Sequence, residues 1–257
     1  VREGRRLRGR YVFTEQDTEC AENDPRAVLR REAIAIGDYG PNCHGTAHEG
    51  PRLGGNHTGE FYKGVAPYQI PYGVLLAEEC ENLLVTTACS ASHVGFCALR
   101  LEPIWMSLGQ AGGAAADLAL EAEKSVHDVD VAELQARLHQ RGAATIYTSD
   151  VPPDAPEFPA VQWWGTAGGL HGLTRREFPA GQRGKNIHGQ YYEAYPGHAV
   201  ELEAPLTEEL RQKWLKLAAT LGLESEELRA AASRGEFIAA AFELEREKRG
   251  QEEAASP

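Results

Sequence analysis

The sequence predicts a mixed fold, α/β or α+β, on three observations. Compact apolar runs bounded by turn residues, Ala33–Gly37 and Leu83-Leu84-Val85, have the length of buried strands. The segment Pro67-Tyr68-Gln69-Ile70-Pro71-Tyr72 is aromatic and bracketed by prolines, which push the preceding residues into the extended region. Helical patterns then follow Pro103, Asp130, Thr207 and Ser225.

Taken in order, residues 1–19 read as a strand with a turn, Leu7, Tyr11 and Phe13 alternating among basic residues. A short helix is expected around Pro25 to Arg31, then the Ala33–Gly37 strand. Residues 37–66 are loop-rich and carry His44, His48 and His57. After the extended 67–72 segment comes the 83–85 strand, then a polar loop with Ser90 and His93. Pro103 opens a helix that ends near Glu123. Asp130 caps a second helix, Glu133 completes the capping-box spacing, and Gly142 lies just past its end. Residues 149–160 (S-D-V-P-P-D-A-P-E-F-P-A) read as a linker. Thr207 caps a helix to about Leu221 and Ser225 another from Glu226, and the charged end from Arg246 is expected to fray.

Composition bounds the function. The 257 residues carry a net charge of −12, against a generic nucleic-acid binder, which needs a basic face to release counterions. No apolar run approaches the roughly 20 residues that span a bilayer. Five cysteines, odd in number and without CxxC spacing, read as thiols of a reducing, cytoplasmic compartment. Cys43, His44 and His48 have no matching second pair, and no metal is assigned. The chain opens Val1-Arg2-Glu3 without a methionine and is expected to begin inside a longer protein.

The stretch from Asn82 to Leu120 organises the rest. A strand, a small-residue loop and the start of a Gly/Ala-rich helix offer unpaired N–H groups and a positive dipole end to an electron-rich ligand. Gly109 and Gly113 are four residues apart and Ala116 three further on, so one helix face is bare. Close helix packing and close approach of a flat ligand both explain that face. His44, His93 and Arg100 are candidates to orient a substrate or exchange its proton, or are ordinary loop and ion-pair residues. Trp163-Trp164 and Tyr191-Tyr192 either line a sugar or aromatic pocket or pack in a core.

The segment R-L-E-P-I-W-M-S-L-G-Q-A-G-G-A-A-A from Arg100 resembles the flavin-contacting helix of a bacterial FAD-dependent oxidoreductase family. Other segments are similar in order: Val1-Arg2-Glu3 with Arg5-Arg6-Leu7, Ala33–Gly37 with Tyr39 and His44, the 67–72 segment, and Asn82–Val85 with Cys89-Ser90 and His93. The likeness spans about residues 1–147 and weakens toward 175. Three positions depart from the family pattern. Gly73 stands where an arginine is usual, Thr86-Thr87-Ala88 replaces Gly-Arg, and Asn42 replaces an aspartate. The phosphate-binding fingerprint G-x-G-x-x-G is not in this chain.

The resemblance implies FAD as cofactor and hydride transfer between flavin and a small-molecule substrate. Ser90, Arg100, Met106, Gly109, Gln110 and Ala111 would contact the cofactor, and His44 and His93 would be catalytic. Residues 1–75 would belong to a β-rich substrate domain, 76–147 to the C-terminal part of the FAD domain, and 148–257 to a linker and helical extension. An N-terminal dinucleotide-binding region would complete the site, making this chain a fragment of the enzyme. The alternative is a non-catalytic subunit or an accessory sugar- or partner-binding module.

Overall fold

The structure, a computed structural model, describes residues 4–45, 50, 52, 58–174, 195 and 197–255. The described residues form a mixed fold, with small antiparallel sheets and seven α-helices among them. Strand β1 (Ala33–Gly37) pairs with β4 (Tyr68–Pro71), Gly37 opposite Tyr68, with a register shift between Ala33 and Ala35. The short strands β2 (Asn42–Cys43) and β3 (Phe61–Tyr62) form a second pair. Helices α1 (His93–Leu99), α2 (Glu102–Glu121) and α3 (Val131–Gln140) follow, then α4 (Phe158–Ala167), α5 (Glu208–Thr220), α6 (Glu226–Ala230) and α7 (Arg234–Ala255).

Local signals placed most helix starts well. Asp130 Oδ1 accepts the Ala132 N–H at 2.8 Å, and Thr207 and Ser225 accept the Leu210 and Leu228 N–H groups. Gly142 follows α3 at φ +75°, a conformation a Cβ disfavours. The proline-rich stretch runs straight into a helix, since α4 starts at Phe158. The last pattern is two helices, separated at Ala231–Ser233, and α7 continues through the charged segment to Ala255.

Three expected elements do not form. Residues 7–13 are extended but join only isolated bridges. The Tyr11 and Phe13 N–H groups donate to the Gly73 and Ser90 carbonyls, so the segment bonds to several partners in turn. No helix spans 25–31; there the Asp24 carboxylate accepts the Arg26 N–H and Arg26 turns inward. Leu83–Val85 makes one bridge, Leu84 with Leu76, and Leu83 is exposed. An apolar run becomes a strand only where another strand meets its backbone groups, and none lies alongside among the described residues.

Two hydrophobic cores result. The first joins Phe13, Ile34, Tyr68 and Ile70 to Leu99, Leu108, Ala111, Leu118 and Leu134, so segments 1–75 and 76–138 share one interior. Helix α2 packs on β1 and α3 on α2. The second core is aromatic. Trp164, Trp214 and Phe237 are fully buried, with ring centroids 5.2–5.5 Å apart, so this tryptophan is core rather than pocket wall. Tyr191 and Tyr192 lie outside the described residues.

Buried polar groups join the two cores. The Arg26 guanidinium donates to the carbonyls of Tyr147 and His198, and Gln69 Nε2 donates to the Thr145 carbonyl. Burial pulls the Arg26 pKa down to about 10, so it still carries its charge at neutral pH. His139 Nε2 lies 2.7 Å from Thr145 Oγ1, whose partner in turn is the Thr166 hydroxyl.

Candidate functional site

Helix α2 divides its residues cleanly. Ile104, Leu108, Ala111, Ala115 and Leu118 enter the core, whereas Met106, Gly109, Gln110, Gly113 and Leu120 face outward. Met106 is 75 % exposed and Leu120 79 %. A Cβ built on Gly109 or Gly113 would meet nothing within 4 Å, while one on Gly112 would lie 2.8 Å from Thr86 Cγ2. Packing against the fold therefore accounts for Gly112 and leaves Gly109 and Gly113 without a reason inside the described structure. Glycine in a helix costs up to about 1 kcal/mol relative to alanine. Of the six expected cofactor contacts, Met106, Gly109 and Gln110 share the outward face, and Ala111 is buried behind it.

At the N-terminus of α2 lies a cavity of about 310 Å³, near the lower limit for ligand pockets. Pro103, Ile104 and Ser107 of α2, Ile36 to Asp38 at the end of β1, and Pro67 line it, with Tyr147 and Tyr195 closing it. Leu101, at the N-cap of α2, gives no side-chain cap, which leaves the Glu102 and Ile104 N–H groups to other acceptors, Pro103 having none. The Tyr195 hydroxyl is buried, has no hydrogen-bond partner among the described residues, and is pushed up to about 12, chiefly by burial and then by the charge of Asp38. Partial burial also raises Asp38. The cavity thus offers one carboxylate and several hydroxyls between apolar walls, a set suited to a small polar molecule with an apolar body.

The other sequence candidates fall elsewhere. Ser90 is buried, and its hydroxyl accepts the Gly9 N–H at 3.1 Å. Arg100 donates through Nη2 to the Asn42 carbonyl, tying α1 to β2. His44 is exposed after β2 and does not line the cavity. His93 opens α1 and also lies off the cavity wall; its Nε2 is 3.9 Å from Cys43 Sγ. His48 and His57 lie outside the described residues.

Asp38, Ser107, Tyr147 and Tyr195 were not legible as site residues. Asp38 had one available signal, its position immediately after a strand. Tyr147 and Tyr195 belong to no motif and meet only because the chain beyond α3 returns to β1. Their rings stand edge to face, 5.6 Å between centroids.

Comparison with known proteins adds one positive finding. Residues 1–138, over half the chain, match the family model described as FAD dependent oxidoreductase. No curated protein and no solved structure matches the chain.

Proposed function

This chain belongs to the FAD-dependent oxidoreductase family, and on that premise we propose that the outward face of α2 is one wall of its flavin site and that the cavity at the start of α2 receives the substrate. The observation that carries the reading is the bare surface at Gly109 and Gly113, where a Cβ would meet nothing within 4 Å, on a helix whose opposite face packs against β1. A flat ring system needs such a surface, and the exposed Met106 and Leu120 would supply apolar contact on either side. Bound FAD would supply the redox chemistry, accepting or donating a hydride equivalent.

The chain's own groups would then act around it. First-turn N–H groups of α2 and the helix dipole favour negative charge at its N-terminal end. Tyr195 is protonated at neutral pH and can donate one hydrogen bond into the cavity. Asp38 would accept one from a substrate hydroxyl or amine, and Ile36, Pro67 and Ile104 would exclude water from the apolar body.

A wall needs an opposite wall. We propose that a dinucleotide-binding segment carrying the glycine fingerprint covers the α2 face and pairs with the open edge at Leu83–Val85. Five thiols fit a reducing, cytoplasmic setting, and no described helix is long and apolar enough to cross a membrane.

The test is flavin stoichiometry of the full-length protein. Gly109→Leu covers this bare surface without touching the core, so flavin content should collapse while the melting temperature of the flavin-free protein holds. A Gly109→Leu protein with unchanged flavin would refute the assignment of this face.

A further inference from the structure

Two segments distant in sequence bring three residues together beside β2. Cys43 comes from β2, and His93 and Cys97 sit one turn apart on α1, at the i and i+4 positions that share a helix face. The two sulfurs and one imidazole nitrogen all lie within 4.8 Å of one another, the Cys43–His93 pair at 3.9 Å. Cys43 and Cys97 are buried at 6 % and 0 % exposure, while His93 lies at the surface.

The surrounding structure holds this arrangement. Gly95 lets α1 press on the chain at Phe13, whose carbonyl oxygen would be 2.3 Å from any Cβ there. Ser92 caps α1 by accepting the Gly95 N–H at 3.0 Å. Arg100, just past α1, anchors the Asn42 carbonyl, so the residue before Cys43 is fixed to the same helix. Cys89 is a useful contrast. It is fully buried, outside the cluster, and burial pushes its thiol up to about 11, as expected of an inert core cysteine.

We propose that Cys43, His93 and Cys97 form a zinc-binding site with a fourth position open to solvent on the His93 side. Two thiolates and an imidazole are a soft to borderline donor set that suits zinc. Tetrahedral bonds of about 2.3 Å to sulfur and about 2.0 Å to nitrogen set neighbouring ligand atoms roughly 3.5–3.8 Å apart. The cluster therefore needs to contract by at most about 1.3 Å, within the reach of side-chain rotation. Binding requires both thiols to lose their protons, so the site weakens as pH falls. The ion would staple the β2–β3 pair to α1. No ligand is shared with the α2 face, so its loss leaves the flavin reading untouched.

The experiment uses the purified full-length protein, stripped with chelator under reducing conditions and titrated with zinc, then with cobalt as a spectroscopic substitute. The expected result is close to one metal per chain, and thiolate-to-metal absorption in the cobalt form. In the wild-type protein zinc should protect Cys43 and Cys97, but not exposed Cys80, from alkylation as mapped by mass spectrometry. Cys43→Ser and Cys97→Ser should each weaken zinc binding by at least about 100-fold, whereas Cys89→Ser should not. No uptake by the reduced wild type, metal content that survives loss of both Cys43 and Cys97, or alkylation indifferent to zinc would each overturn the site. So would a Cys43–Cys97 disulfide whose reduction restores no zinc binding.

Discussion

The two cores bury apolar surface in opposite ways. The C-terminal core is a knot of large aromatics, Trp164, Trp214 and Phe237, wrapped by α4, α5 and α7, and its helices keep their big apolar side chains inside. The N-terminal core is built from short strands and the small residues of α2, and it leaves Met106 and Leu120 outside. The outward face of α2 thus exposes two large apolar side chains and lacks side chains at two positions, where the C-terminal helices expose no large apolar residue among those described. The difference suggests a stabilising unit beside a unit shaped to be covered.

Four measurements bear on that contrast. The largest effect should come from Trp214→Ala, which empties the aromatic core and should cost about 3–5 kcal/mol in denaturant unfolding. If the unit at residues 13–138 keeps its cooperative transition in that variant, the two cores are separable. If both are lost together, the bridge through Arg26 and Gln69 couples them.

Gly112→Leu comes next. Its new side chain meets Thr86 at once, and overpacking should cost about 1–3 kcal/mol. This destabilisation sharpens the comparison with the outward glycines of the same helix.

The third concerns the seam. Burial holds the folded-state pKa of His139 down at about 3, against an ordinary 6.5, with the charge of Arg249 adding to the effect. Protons therefore bind the unfolded chain more readily between those values, and stability falls as pH drops below 6.5. The expected loss is about 1 kcal/mol between pH 6 and pH 5. His139→Gln should flatten that slope, as read by urea titrations at each pH.

The smallest effect is a gain. Gly109→Ala removes a helix glycine at a site where the added methyl meets nothing, so α2 should be stabilised by about 0.5–1 kcal/mol. A loss there would mean that the outward face is packed.

Much of this could be read from the chain. The β1 strand at Ala33–Gly37 was an apolar run of strand length, and α2, α3 and α5 were announced by proline, caps and period. The outward face of α2 was legible from the i, i+4 spacing of Gly109 and Gly113. The absent helix at 25–31 was not, because Arg26 leaves local structure to satisfy two carbonyls more than 100 residues away. Leu83–Val85 had the composition of a strand, but a strand is a relation between two segments.

The site shows the same division. His44, His93 and Arg100 drew attention because their side chains can do chemistry, yet that says nothing about what stands opposite them. Cys43 beside His44 gave no metal spacing along the chain, and its partners arrive from α1, 50 residues on. The cavity between Asp38, Tyr147 and Tyr195 likewise joins segments with no common motif.

By itself, the sequence determined what acts over a few residues: the starts of α2, α3, α5 and α6, the extended segments at 33–37 and 67–72, the bare stripe on α2 and the ordered motifs of a flavin-dependent family. Caps, prolines and 3.6-residue periodicity work through neighbours and so are written in order along the chain. Only the tertiary structure decided which glycines are packed and which are open, where the cavity lies, and that Cys43 meets His93 and Cys97. Those contacts depend on close packing and on satisfying every buried polar group at once, and both conditions are set by segments far apart in the chain.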